Sequence, residues 1–276
     1  MKQISKSFIK LTEKDKRILI KLFVVKILIF TLLLLVRPPT MIVDAQMYYD
    51  LTVNPAETFK PPGTDITKYT RIKPPGWALF LYVFYSFYQN WLFWAVFFNF
   101  IFSFLAVYLL YKITNEKIMW LFFFYPFFLY HSYFPLETPI FCLLIILSFY
   151  YFRKNKFIAN FICNISSFFR IEGVLFSLYL LCKKIELKNL ILFMVISSAA
   201  LYFYGIAWVL LYQYLISTKP MLLYQSLRHI IPFLIPLFVD YKEFFTKHFR
   251  KIMILWFVLG LTIGYFKVFY EWGVLS

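Results

Sequence analysis

Charge is scarce in this chain, and acidic charge is scarcer still. Only 15% of the 276 residues are charged, and Asp and Glu number 13 against 29 Lys and Arg; a soluble domain carries about 25% charged residues. Glycine is also rare, at seven residues, and no Gly-rich phosphate loop is present. The three cysteines, Cys142, Cys163 and Cys182, lie in apolar segments with no CxxC or metal-ligand spacing, so they read as packing residues. No internal repeat is visible, which weakens an inverted-repeat transporter. The basic stretch "MKQISKSFIKLTEKDKR" leads into a mostly apolar run with no small-residue cleavage site, as a retained anchor would rather than a cleaved signal peptide.

What the chain has in excess is grease. It is 62% hydrophobic and 24% aromatic, more than a soluble core of this size can hide, so much of its surface must face lipid. The formal net charge of +16 then reads as cytoplasmic basic loops beside anionic lipid, not as a nucleic-acid interface. The sequon at Asn164 sits inside an apolar run, out of reach of a transferase.

Basic clusters set the expected topology. The N-terminal residues 1–17 form a cytoplasmic segment, and a single transmembrane domain occupies 18–276. A first crossing covers 18–36, and 37–90 is an extracytoplasmic loop plus an interfacial helix. The apolar stretch 77–88 would be only about 18 Å long as a helix, too short for roughly 30 Å of hydrocarbon, and so lies along the outer interface. Crossings follow at 91–110, 118–133, 137–152, 157–169, 174–182, 190–216, 222–239 and 252–270. The fold class is therefore all-α, a polytopic helical membrane protein with about nine transmembrane helices.

Ionisable groups at membrane depth are costly and tend to be functional. Four sites remain once the cytoplasmic loops are removed: Asp44 with Asp50, Glu137, Arg170 with Glu172, and Arg228 with His229. On the expected topology all four open to the outer leaflet. Plain structural roles exist for each. Asp44 would cap a loop helix, Glu137 would sit at a helix N-terminus, Arg170 and Glu172 would pair, Arg228 would snorkel, and His131 would be an interfacial hydrogen-bonding residue.

The order of segments carries a resemblance. An apolar anchor precedes "DAQMYYDLT", the loop ends "RIKPPGWALFLYVFYSF", an acid follows in "SYFPLETPIFCLLIIL", and "FFRIEGVLF" comes after "RKNK". Over about residues 18–182 this order resembles the GT-C superfamily of polytopic glycosyltransferases, which includes protein O-mannosyltransferases, lipid A aminoarabinose transferases and GPI mannosyltransferases. The resemblance implies that Asp44 is the catalytic acid, that Tyr48 is the aromatic four residues on, and that "KPPG" at 73–76 precedes an interfacial helix. Glu137 falls where a second acid occurs, and Arg170 where an Arg with Gly three residues on (here Gly173) follows. Two departures stand out: the loop has no Asp-Xaa-Asp or Asp-Glu pair, and no soluble C-terminal domain follows. Acceptor capture by a separate domain would then require a partner subunit.

The implied donor is a polyprenyl- or dolichyl-phosphate sugar, and the implied acceptor is a glycan, a lipid or a protein. Inverting transfer needs one carboxylate to take the acceptor proton, and a phosphate leaves unaided once cations absorb its charge. Asp44 is the expected base. Arg170 is the expected phosphate anchor, because its planar fork suits phosphate oxygens, with Lys73 and Arg228 as alternatives. Tyr48, Asp50, Glu137, Glu172 and His229 are supporting residues. If a divalent ion takes part, Asp44 and Glu137 are its candidate ligands. The expected location is a multi-pass cell or ER membrane protein with a cytoplasmic N-terminus. Two other readings stay open: a transporter or lipid flippase using the same charges as a polar path, and a non-catalytic membrane subunit.

Overall fold

The structure, a computed structural model, describes residues 11–36, 38–41, 43–58, 74–152, 154–170, 172–183, 186–196 and 199–200. Among the described residues it is all-helical, with no strand. The expected crossings at 222–239 and 252–270, most of that at 190–216, and Lys73, Arg228 and His229 lie outside the described residues.

Helix α1 spans Glu13–Val36. It starts before the expected residue 18 because Thr12 and Asp15 cap each other: the Asp15 amide donates to Thr12 Oγ1 at 3.1 Å, and the Thr12 amide donates to Asp15 Oδ2 at 3.0 Å. It ends ahead of Pro38 and Pro39, whose rings disfavour a continuing helix. Then come α2 (Val43–Val53), α3 (Pro55–Thr58) and α4 (Pro75–Tyr85), the last opening with proline at its first position. Helix α5 spans Trp91–Ile113 and α6 Glu116–Phe123. Helices α7 (Pro126–Tyr133), α8 (Thr138–Phe152), α9 (Lys156–Ser166) and α10 (Glu172–Lys183) follow, and α11 is Leu187–Ile196. Asparagine does the same job three times. Asn90, Asn115 and Asn155 each accept the amide hydrogen three residues on, starting α5, α6 and α9.

Among the described residues two helices, α1 and α5, are long and apolar enough to cross a membrane. At 24 and 23 residues they run about 36 and 34 Å, against roughly 30 Å of hydrocarbon. The stretch 118–133, expected as one crossing, is instead broken. Tyr125, held extended before Pro126, separates α6 from α7. Helices α7 and α8 then meet at 118° across their own break. The short helix expected over 77–88 is present as α4, lying against α2 and α5.

The packing is inside out relative to a soluble protein. Helix α5 buries Ala95, Asn99, Ser103 and Ala106 while exposing Phe93, Phe97 and Leu105. Helix α9 likewise buries Ala159, Asn160, Cys163 and Asn164 and exposes Phe157, Ile158 and Phe161. Water would reverse that choice. In lipid, small and weakly polar residues let helices approach and hydrogen-bond, while large apolar side chains face the acyl chains at no cost. The chemistry of the buried stripes thus identifies the surroundings independently of helix length.

The candidate active site

The centre of the site is the tight turn between α9 and α10. The Arg170 amide donates to Ser166 O and the Gly173 amide to Arg170 O, at 3.0 and 2.9 Å. Gly173 is obligatory there, because a Cβ would sit 2.6 Å from Ser166 Oγ and closer still to the Ser167 amide nitrogen. The turn is also clamped from outside. The Gly76 amide, at the start of α4, donates to Phe168 O at 2.8 Å, and a Cβ on Gly76 would lie 2.6 Å from that oxygen. The Pro74-Pro75-Gly76 sequence therefore does two things: the prolines preset the helix start, and the glycine lets backbone meet backbone.

This clamp fixes Arg170, which is only 5% exposed. Its Nη1 donates to Glu137 Oε1 and to Thr138 Oγ1, each at 3.1 Å. Its Nη2 donates to Glu172 Oε1 at 2.7 Å, while Nε reaches Glu172 Oε2 at 3.4 Å. The guanidinium carbon lies 5.8 Å from the centre of the Phe141 ring. Burial alone would lower the Arg170 pKa; Glu172 and then Glu137 outweigh it, and the net shift is upward. Thr138 Oγ1 also lies 3.0 Å from His131 Nδ1, so the hydroxyl bridges the arginine and a buried imidazole.

The fork of Arg170, the expected phosphate anchor, donates to Glu137, Thr138 and Glu172. Glu137 and Glu172, the expected supporting residues, both contact it.

Helix α2 is pinned beside this cluster. Thr52 Oγ1 donates to Tyr48 O at 2.7 Å and accepts from Trp91 Nε1 at 3.0 Å, tying α2 to α5. Ala45, Tyr48 and Leu51 form its buried face. Tyr48 is close enough to Arg170 to act on its charge electrostatically. Asp44 occupies the helical position one turn before Tyr48, though its side chain is outside the described residues. Asp50 is separated from that face: it accepts from Gln46 Nε2 at 2.9 Å on the exposed side. Six residues at 100° each place positions 44 and 50 about 120° apart around the helix.

Two polar contacts escaped the reading of the sequence. Lys26, in the middle of α1, is 3% exposed and donates to Ser103 Oγ at 2.6 Å, with the Phe100 and Phe123 rings 5.0 and 5.8 Å away. Among the described residues no carboxylate pairs with it. Ser103 in turn donates to Asn99 O, and Asn99 Nδ2 donates to Phe134 O at 2.6 Å, next to the α7–α8 break. At the far end of the same helices Lys112 and Asp15 pair at 2.9 Å. The signal for Lys26 was a lone cation inside an apolar run; its partner stands 77 residues away and is invisible to local pattern.

Among the described residues no group of three or more His, Cys, Asp or Glu side chains is arranged to hold a metal ion. No known family matches the sequence, and no curated protein or solved structure matches it either.

Proposed function

We propose that this chain is a multi-pass membrane glycosyltransferase that moves a sugar from a polyprenyl-phosphate donor to a hydroxyl acceptor at the extracytoplasmic face, its N-terminus being cytoplasmic. The observation that carries the reading is convergence: the Gly76 amide at the start of α4 donates to Phe168 O in the turn that holds Arg170, and Tyr48, on the helix bearing Asp44, lies within electrostatic reach of Arg170. Residues from the first loop and from a distant hairpin thus meet.

The chemistry follows from the charges. Asp44 takes the proton of the acceptor hydroxyl as its oxygen attacks the anomeric carbon. The bond from that carbon to the phosphate oxygen breaks, and polyprenyl phosphate leaves with the electron pair. The configuration inverts in a single displacement. Arg170, with Lys73 and Arg228 as alternatives, faces the departing phosphate, its planar fork suiting phosphate oxygens. Glu137 and Glu172 hold Arg170 in position.

The test incubates the purified chain with radiolabelled polyprenyl-phosphate sugars and a panel of acceptors. Wild type is expected to release polyprenyl phosphate in step with acceptor labelling, and Asp44→Asn, folded, to lose at least about a hundredfold, the range for a missing general base. Equal turnover in the two would remove Asp44 from this role. Lys26 favours one second reading, a transporter or flippase, because an uncompensated cation at mid-span is what a polar path needs. That reading predicts that the lipid-linked sugar changes leaflet intact, with no phosphate released.

A further inference from the structure

Two depressions flank the start of α5 and share Asn90 and Leu92, yet their linings differ in kind. One, about 430 Å³, is walled by Phe30, Val96, Phe97 and Phe100 and is almost purely apolar. The other, about 630 Å³, lies between α2 and the α4–α5 turn and is lined about equally by polar and apolar surface. The first is what acyl chains cover. The second is too polar for that.

The rings of the second pocket are held in place before any ligand arrives. Tyr49 stands edge-on to Trp91 with centroids 6.0 Å apart. Trp91 is anchored through Nε1 to Thr52. Tyr88 packs edge-on against Phe93 at 6.1 Å. Between the rings come two amides. Asn90 uses its oxygen to cap α5, which leaves the NH2 as a donor, and Gln89 makes no hydrogen bond among the described residues. Fixed aromatic faces beside uncommitted amides suit a ligand with C–H faces and hydroxyl edges, which is a pyranose ring. An isoprenoid would leave the amides unsatisfied, and an ionic headgroup would find no opposite charge in the lining.

We propose that this pocket, framed by Tyr49, Tyr88 and Trp91 with the amides of Gln89 and Asn90, binds a saccharide, and that among glycan, lipid and protein the acceptor is a glycan. The first half stands on the pocket alone; the second rests on the glycosyltransferase reading. Tyr49 lies on the helix that carries Asp44, about 140° around it.

The test uses the full chain in lipid nanodiscs and saturation-transfer NMR with methyl hexopyranosides and maltose, farnesol serving as the apolar control. Transfer to the sugar ring protons is expected from wild type, weakened about fivefold or more in Tyr88→Ala, the size of a lost stacking contact, and in Gln89→Ala, but retained in Tyr88→Phe. Tyr88 and Gln89 are exposed, so these changes leave the fold intact, which thermal melts verify. Val96→Ala, in the apolar groove, should leave sugar binding unchanged. Absence of transfer to every saccharide, equal transfer in Tyr88→Ala and wild type, or preference for farnesol overturns the proposal. Saccharide binding by a wild-type chain that releases no polyprenyl phosphate from any donor keeps the pocket and rejects the enzyme.

Discussion

Arg170 and Lys26 are both buried basic residues, and the protein treats them in opposite ways. Arg170 sits at a helix–helix turn with two carboxylates and a hydroxyl around it. Lys26 sits at mid-helix with one serine and two aromatic faces and, among the described residues, no acid. The first arrangement uses several long-range contacts to hold one geometry. The second tolerates a charge where lipid-embedded helices rarely keep one. A buried ion pair adds little net stability, yet breaking it from one side is expensive; an unpaired buried charge, if removed cleanly, should cost nothing.

The largest expected effect follows directly. Arg170→Met leaves Glu137 and Glu172 buried without a cation and should destabilise the protein by roughly 3–5 kcal/mol, read as a collapse of the melting temperature in detergent. Lys26→Met should be neutral or stabilising under the same conditions. Equal losses in the two variants would erase the distinction between them. Next come the glycines that make the Arg170 turn possible: Gly173→Ala and Gly76→Ala each push a methyl into backbone or side-chain atoms, an overpacking of about 1–3 kcal/mol. The smallest effect sharpens the Lys26 side. Ser103→Ala should cost about 1 kcal/mol in wild type and almost nothing in a Lys26→Met background, since the two residues share one contact. Additive losses in that double-mutant cycle would break the pairing.

How much of this was legible beforehand depended on the range of the signal. The long apolar runs of α1 and α5 and the short arms α9 and α10 announce themselves by composition, and Arg170, Glu137 and Glu172 stood out as charges in greasy surroundings. Their contact did not, because residues 33 positions apart meet only where α8 and α9 pack as a hairpin that returns the end of α9 to the start of α8. Pro126 was in plain view, but the apolar run on either side of it outweighed the break it imposes. Lys26 interrupts the apolar run of the first helix, but that it faces inward, halfway along α1, shows only in the packing. Gly76 is the opposite case. The motif around it was visible, yet only the docked Phe168 carbonyl explains why that position admits no side chain.

The proposed enzyme needs a carboxylate at position 44 of α2 and none at position 50. The two aspartates of that helix provide the direct test: transfer from a polyprenyl-phosphate sugar measured side by side for Asp44→Asn and Asp50→Asn, both with wild-type melting temperatures. Activity lost at 44 and kept at 50 is the predicted result. Activity kept at 44, or lost equally at both, would contradict it.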